Sequence, residues 1–434
     1  MQPNLLKLAC VCGLAASTAL NALPAAAKEE FKVGIVTFLS GPAAGPFGVP
    51  GHQGAELVIE AINAGALPAP YDTPGFAGAR LAPVFVDEAG GNTKQVAEYR
   101  NLVQKQGVDA VIGYISSGSC LSVAPVAEEL KTLTIIPVCG SPRLFEEGGK
   151  DYVFRTTGHA VGDGVAAALY VRDKFGDAPA YTGINQNYAW GQDSYKFFDL
   201  AMETINPDTK ASDNPQFPKL FAGQFGTEIS TLSLDKAPLV HSSFWDGDME
   251  AFVLQANVRG FFRQKTFIST LGASAVDRLG KGFPEGVVMG TRGEYGLLVR
   301  DMDTPLNRWF VDRYKEKYGE YPLGPSYQYA QSILALKIAM DKAAEAVGGF
   351  PGQAQVIDAL TGLEWDSFGG RISMTLGGGH QAVHPVGYGI TGWNKDSGEP
   401  VATDVVFYPA NCIMPPEGQT GIEWLEAGMP GASC

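Results

Sequence analysis

The chain has 434 residues, of which 45% are apolar and 18% are charged, and its formal net charge is −14. This length allows two or three domains with a sizeable core, and the apolar fraction excludes fibrous and disordered classes. Because 46 acidic residues oppose 32 basic ones, the chain would repel polyphosphates, which argues against nucleic-acid binding.

The first 27 residues have the three parts of a secretory signal peptide. Lys7 supplies the positive charge, residues 8–20 are apolar, and the alanines at 25–27 offer a cleavage site before Lys28. The apolar run is shorter than the ~20 residues of a transmembrane helix. The sequence therefore predicts export, with cleavage near Ala27.

Because disulfides form in oxidising compartments, export makes disulfide bonds between the cysteines of the mature chain an expected feature. Four cysteines follow the signal segment, namely Cys120, Cys139, Cys412 and Cys434. Of the three possible pairings, the nearest-neighbour bonds 120–139 and 412–434 are the simplest, and free buried thiols are the alternative.

Short apolar strands then alternate with amphipathic helices, which is typical of parallel sheets covered on both faces. In the first half, strands are predicted at 31–38, 81–87, 109–114 and 133–138, with helices at 49–63, from 92 onwards and at 122–130. After residues 152–157 the alternation restarts, with helices at 161–174, 191–204 and 247–258 and strands at 180–184, 220–225, 239–243, 266–269 and 286–290.

The alternation stops near residue 304. Three consecutive helices are predicted at 304–318, 326–347 and 353–361, followed by strands at 369–374, 386–393 and 401–408. Two α/β units followed by helices and then strands indicate a chain that crosses between two lobes more than once. Residues 206–218, rich in proline and charge, are predicted to form a surface excursion.

No catalytic, metal or cofactor motif is present in the sequence. There is no Gly-x-Ser-x-Gly turn and no phosphate-binding loop. His380 and His384 lie in a glycine- and proline-rich stretch rather than a helix, which argues against zinc. Asp246 and Asp248 are interpreted as a helix cap and a first-turn charge.

Polar residues follow two predicted strands. Residues 116–119 come after the strand that ends at Tyr114, and residues 139–142 come after the strand that ends at Val138. Ligands of open parallel sheets bind outside the carboxyl ends of strands, where helix N–H groups and serine hydroxyls can hold a carboxylate. The alternative is that these serines only cap helices.

Aromatic residues follow other strands, in turns rich in glycine, asparagine and aspartate. Aromatic side chains in such turns often line a pocket. They are Phe47, Tyr188, Trp190, Phe244 and Trp245.

With these features the sequence resembles the leucine/isoleucine/valine-binding protein family, the type I periplasmic solute-binding proteins of ABC importers. The resemblance extends from about residue 31 to residue 408. The runs that carry it are 34–44, 111–113 with 116–118, 189–192, 242–248, 284–288 and 318–322.

The resemblance implies an α/β fold of two doubly wound parallel-sheet lobes, joined by three crossovers near 155–157, 291–293 and 364–368. It also implies a ligand trapped between the lobes by hinge closure. The implied division is 28–155 with 292–364 for lobe 1, 156–291 with 365–411 for lobe 2, and 412–434 as a C-terminal tail.

The resemblance further implies which residues bind the ligand. Ser117, Gly118 and Ser119 would hold a ligand carboxylate, with Gly140 and Ser141 alongside. The expected aromatic walls are Phe47, Tyr188, Trp190, Phe244 and Trp245.

The sequence departs from the family at one position. Branched-chain amino-acid binders of this family have a Glu after the strand equivalent to 267–269, which pairs with the ligand ammonium, whereas residues 270–273 here contain no acid. The substitutes considered are Asp246, Asp248 and Glu294. Without one of them, the departure favours amides, urea-like solutes or aromatic carboxylates over α-amino acids.

The expected function is therefore that of a periplasmic substrate-binding protein, monomeric and not an enzyme. It would deliver a small polar solute to a membrane ABC permease. The alternatives are an extracytoplasmic sensor with the same fold and, more remotely, an exported hydrolase.

Overall fold

The computed structural model describes residues 28–293, 296–300 and 302–434, so the predicted signal segment and Glu294 lie outside the described residues. No helix in these ranges is both long and apolar enough to cross a membrane. The chain folds into two β-sheets, each covered by helices.

The strands, in chain order, are β1 (Glu30–Thr37), β2 (Arg80–Asp87), β3 (Ala110–Gly113), β4 (Thr134–Ile136), β5 (Val153–Arg155), β6 (Ala180–Ile184), β7 (Lys210–Ala211), β8 (Leu239–Ser242), β9 (Thr266–Ser269), β10 (Val288–Thr291), β11 (Glu364–Asp366), β12 (Arg371–Leu376), β13 (Gln381–Val383), β14 (Val386–Trp393) and β15 (Pro400–Tyr408).

The α-helices are α1 (Val49–Ala64), α2 (Asn92–Asn101), α3 (Ser117–Leu130), α4 (Arg143–Glu146), α5 (Ala160–Phe175), α6 (Ala189–Ile205), α7 (Gly226–Leu234), α8 (Gly247–Val258), α9 (Ala273–Leu279), α10 (Pro305–Tyr318), α11 (Gly324–Val347), α12 (Gln353–Leu360), α13 (Ala410–Ile413) and α14 (Gly421–Glu426).

Each sheet forms the centre of one lobe. The first lobe is built on the order β11-β12-β13-β5-β4-β3-β1-β2, and the second on β15-β14-β10-β9-β8-β6-β7. Strands β1 to β5 pair in parallel, as do β6 to β10, whereas β11, β12, β14 and β15 pair antiparallel with a neighbour. The predicted α/β fold of two doubly wound lobes is therefore confirmed.

The strand predicted at 220–225 is wrong. Phe221 has a φ of +61°, outside the extended region. The N–H groups of Phe221 and Gly223 donate to the carboxylate of Asp248, at 2.7 Å and 2.9 Å, instead of to a neighbouring strand. The strand at the edge next to β6 is β7, which lies in the predicted surface excursion.

The crossover predicted at 364–368 is also misplaced. Strands β11, β12 and β13 all belong to the first sheet, where β13 pairs with β5. The cause is a tight turn between β11 and β12, in which the N–H of Ser367 donates to the carbonyl of Gly370 at 2.8 Å. The chain enters the second sheet only at β14, so residues 365–383 lie in the first lobe.

The C-terminal tail, residues 412–434, contacts both lobes. Beside the first sheet, the N–H of Gly421 donates to Glu146 Oε1 at 2.8 Å. Beside the second sheet, Thr204 Oγ1 of α6 donates to the carbonyl of Leu425 at 3.2 Å. Trp424 between these contacts is fully buried, so the tail is an integral part of the packing.

The four cysteines form the bonds Cys120–Cys139 and Cys412–Cys434, which is the nearest-neighbour pairing. We predict that the denatured, unreduced protein exported to an oxidising compartment has no reactive thiol. Thiol titration measures this directly, and the same sample after reduction is the positive control. Two or more reactive thiols before reduction would contradict the pairing.

Candidate functional site

The two lobes meet along the loops that follow their strands. Ser141 Oγ of the first lobe donates to Asp193 Oδ2 of the second at 2.5 Å, and Arg143 Nε approaches the same oxygen at 3.2 Å. The N–H of Gly247 donates to the carbonyl of Pro42 at 3.2 Å. These contacts join the carboxyl ends of both sheets, where ligands of such folds bind.

Ser117 joins two strand ends within the first lobe. Its Oγ accepts from the N–H of Gly140 at 3.3 Å, so the loops after β3 and β4 are held side by side. Helix α3 begins at Ser117, five residues before the predicted start, and its N-cap residue Ser116 makes no side-chain cap hydrogen bond. The first-turn N–H groups of α3, including those of Gly118 and Ser119, are therefore not capped by Ser116.

Three of the predicted aromatic residues meet across the cleft. The rings of Phe47 and Trp245 lie 5.1 Å apart and nearly perpendicular. Trp245 Nε1 donates to Tyr188 Oη at 2.8 Å. Phe47 lies in a π-helical turn, Ala44–Gly48, that directly precedes α1, and such turns are frequent at functional sites.

Trp190 lies in the cleft beside the second crossover. Its Nε1 donates to the carbonyl of Ser243 at 2.9 Å. The guanidinium carbon of Arg292 lies 4.3 Å from the centre of its ring, which is within the range of a cation–π interaction. The position of Trp190 is thus fixed on two sides.

Phe244 is placed elsewhere, in the core of the second lobe. Its ring lies 5.1 Å from that of Phe225 and 5.8 Å from that of Phe252, centre to centre. Successive residues of an extended segment point to opposite sides, so Phe244 faces the core while Trp245 faces the cleft. The sequence pattern did not separate these two neighbours.

The two aspartates considered as substitutes for the missing Glu are held by backbone groups. Asp246 is the N-cap of α8, and its Oδ1 accepts from the N–H of Asp248 at 2.6 Å. Asp248 accepts from the loop at Phe221 and Gly223. Burial and the neighbouring Asp248 raise the pKa of Asp246 to about 8. The interpretation of Asp246 as a helix cap is confirmed.

Glu88 is a buried acid that sequence reasoning missed. It follows β2, and its carboxylate accepts from the N–H groups of Ile115 and Ser116 at 2.8 Å and 2.9 Å. Burial raises the pKa of Glu88 to about 8, although these hydrogen bonds and one with Ser119 act in the opposite direction. Glu88 therefore orders the loop that leads into α3.

We predict that Glu88 makes the protein less stable as the pH rises from 6.5 to 7.5. In this range folded Glu88 keeps a proton that the unfolded chain, with a pKa near 4.5, has released. The free energy of unfolding then falls by about 1 kcal/mol per pH unit on account of this residue. Urea unfolding of the wild type and of Glu88→Gln measures the difference in slope. Equal slopes would show that Glu88 is ionised in the folded protein.

Buried charges near the crossovers were also missed. Arg292 Nε donates to Asp163 Oδ2 at 2.9 Å, and both side chains are at most 2% exposed. Arg155 Nε donates to Gln381 Oε1 at 2.5 Å, and its Nη1 donates to the carbonyl of Ser141 at 2.6 Å. The only sequence signal for Arg155 is a charged residue beside an apolar strand, which indicates a buried, paired side chain.

The histidines have structural contacts. His380 stacks on Phe154, with ring centres 3.9 Å apart. His384 Nε2 accepts from the N–H of Gly158 at 2.6 Å. Among the described residues, no group of three or more histidine, cysteine or acidic side chains is arranged to hold a metal ion.

A cavity lined by residues of both lobes lies between them. Phe47 and Gln328 line it from the first lobe, Leu271 from the second, and Arg292 from the crossover between them. The other lining residues are Ala273, Ser274, Asp277, Gly290, Thr291, Gly296, Leu297, Leu323, Gly324 and Pro325.

The chain is similar to known solute-binding proteins in sequence. It is 27% identical over 367 residues to the Leu/Ile/Val/Thr-binding protein of Salmonella typhimurium, covering 82% of this chain and 92% of the relative. The Leu/Ile/Val-binding protein of Escherichia coli K12 gives the same identity and coverage.

Two solved structures share the fold. One is a solute-binding protein of an ABC transporter from Rhodopseudomonas palustris in complex with 3,4-dihydroxybenzoic acid (TM-score 0.75, 18% identity, 88% and 98% of the chains covered). The other is a leucine-binding protein from Thermotoga maritima (TM-score 0.70, 19% identity, 87% and 98% covered). Residues 30–397 match the profile of the family described as periplasmic binding protein. Because this match covers most of the chain, the protein belongs to the periplasmic binding protein family.

Proposed function

We propose that this protein captures a small solute between its two lobes in the periplasm and delivers it to a membrane ABC permease. The observation that supports this most strongly is the meeting of Phe47 from one lobe with Trp245 and Tyr188 from the other. A solute seated among them would contact both lobes and so favour their closure. The protein would act as a monomer and without catalysis.

We further propose that the solute has a carboxylate or amide and an otherwise uncharged body. The segment 270–273 offers no acid to an ammonium group, and Asp246 and Asp248 are engaged by backbone N–H groups. Burying an unpaired ammonium would cost several kcal/mol. Leucine should therefore bind more weakly than a small aromatic acid or amide, although relatives are named for branched-chain amino acids.

Native mass spectrometry of protein purified from its own periplasm tests the proposed function. We expect one small molecule per chain, released on denaturation. A thermal-shift screen of solutes is the parallel measurement, since a ligand at 100 times its Kd adds about 2.7 kcal/mol of stability. Absence of an adduct, together with no stabilising solute in a periplasmic extract, would contradict the proposal, and turnover of an amide or ester would indicate an enzyme instead.

We predict that Ser117→Ala weakens binding of a carboxylate solute by about 10- to 100-fold, because a hydrogen bond to a charged group is worth ~1.5–3 kcal/mol. Ser141→Ala should also weaken binding, since its hydroxyl joins the lobes through Asp193. Ser230→Ala is the matched control, because its exposed hydroxyl donates to the Gly226 carbonyl within α7. Titration calorimetry measures all three. Wild-type affinity in both test variants would remove these serines from the site.

A further inference from the structure

Arg292 is held rigidly beside the cleft but keeps one donor group free. Its Nε donates to Asp163 at 2.9 Å, its Nη1 to the carbonyl of Val138 at 2.5 Å, and its face lies over Trp190. Its Nη2 has no hydrogen-bond partner among the described residues, although the side chain is 1% exposed. A buried guanidinium N–H group without an acceptor is costly, so this group is suited to an acceptor that arrives with a ligand.

The neighbouring backbone leaves room for this guanidinium. A Cβ atom at position 140 would lie against Nη2 of Arg292, closer than van der Waals contact. Gly140 is also the residue whose N–H donates to Ser117 Oγ. Arg292 therefore lies next to the strand ends that we propose for solute binding.

The charges around this turn favour an anion. Arg155 and Arg292 are both fully buried, and Asp163 is the one carboxylate among the described residues that is hydrogen-bonded to either guanidinium. His159 and His384 add no further positive charge, because burial lowers the pKa of both, to about 4 for His384. Two buried cations thus share one bonded anion.

Arg292 also lines the interlobe cavity, together with a neutral amide and a carboxylate. Gln328 Oε1 lines the same cavity and has no donor among the residues that the structure describes. Asp277 lines it too; its Oδ1 accepts from Arg300 Nη2 at 2.6 Å, whereas its Oδ2 has no hydrogen-bond partner among the described residues. Phe47, Leu271 and Leu297 supply apolar walls.

We propose that Arg292 recognises the solute by donating from Nη2 to its carboxylate, and that the solute is a small monocarboxylate with an apolar body. Gln328 Oε1 can accept from a donor group on the same solute. This inference rests on the proposed function and adds the chemical class of the solute and a specificity-determining residue.

Matched pairs of acid and amide test this proposal by titration calorimetry on the mature protein. The pairs are benzoate with benzamide, isovalerate with isovaleramide, and leucine with leucinamide. In every pair that binds, we expect the acid to bind about 10- to 100-fold more tightly than the amide. The reason is that a hydrogen bond from the guanidinium to a charged carboxylate is stronger than one to a neutral amide. Equal affinity within the pairs, tighter binding of the amides, or no binding by any pair would overturn the inference.

The variant Asp163→Asn/Arg292→Gln removes both members of the buried ion pair, so neither partner of that pair is left charged. We expect its preference for acid over amide to fall below threefold while the amide still binds. The control Arg313→Gln/Glu316→Gln removes an exposed ion pair on α10 and should keep the wild-type preference. A crystal structure of the wild type with the tightest-binding acid gives a readout independent of variant folding, with the carboxylate expected within hydrogen-bond distance of Arg292 Nη2.

These outcomes separate the inference from the proposed function. If the double variant folds and keeps the wild-type preference, or if the bound carboxylate lies away from Arg292, the inference is wrong and solute binding stands. If native mass spectrometry finds no solute and no compound stabilises the protein, the proposed function is wrong, and the inference falls with it.

Discussion

Replacing Asp163 with alanine should lower the free energy of unfolding by about 3–5 kcal/mol, because it removes one partner of a buried ion pair and leaves the other charged. Asp163 and Arg292 are 2% and 1% exposed, and they join α5 of the second lobe to the second crossover. Removal of the carboxylate leaves the Arg292 charge buried without its bonded partner. A loss of this size is a large fraction of the stability of a typical domain.

Urea unfolding followed by circular dichroism measures this loss. Asp173→Ala is the matched control on the same helix, because Asp173 is partly exposed, pairs with Arg172 at the surface and accepts from Tyr408 Oη at 3.1 Å. Its loss should cost at most about 1 kcal/mol. Asp163→Asn/Arg292→Gln should recover part of the stability. Equal losses for Asp163→Ala and Asp173→Ala would show that the buried pair does not stabilise the crossover.

Trp424→Ala should cost about 3–5 kcal/mol, as expected for truncation of a fully buried large aromatic side chain. Trp424 lies in α14, beyond residues 30–397 that match the family profile. It is nevertheless fully buried, and its Nε1 donates to the carbonyl of Pro430 at 3.1 Å. We therefore expect the tail to stabilise both lobes.

The same unfolding experiment applied to Trp309→Ala provides the control, because Trp309 of α10 is only partly buried. Its loss should be clearly smaller. If Trp424→Ala is as stable as the wild type, the tail packs weakly and the two lobes fold without it.

The sequence predicted the parts of the fold that depend on local apolar patterns. Strands such as β3, whose four residues are all buried, appear as continuous apolar runs. Residues 220–225 have a similar composition but form a loop, because the distant Asp248 carboxylate accepts the loop N–H groups. Local composition contains no information about such a contact.

In the candidate site, too, features set by the local sequence could be predicted, whereas contacts between distant segments could not. Ser117 and Gly140 could be placed together because the ends of neighbouring parallel strands meet at one edge of a sheet. Arg292 and Asp163 are 129 positions apart, and neither lies in a motif, so their pairing depends on how the crossovers pack. Phe244 and Trp245 differ only in which side of the chain they face.

Small-angle X-ray scattering of the mature protein, with and without a saturating solute identified by calorimetry, tests most directly whether a solute is captured between closing lobes. We expect the radius of gyration to fall when the solute binds, as the lobe contacts at Ser141–Asp193 and Phe47–Trp245 become fully populated. An unchanged radius of gyration at a solute concentration that saturates the calorimetric titration would contradict capture by closure.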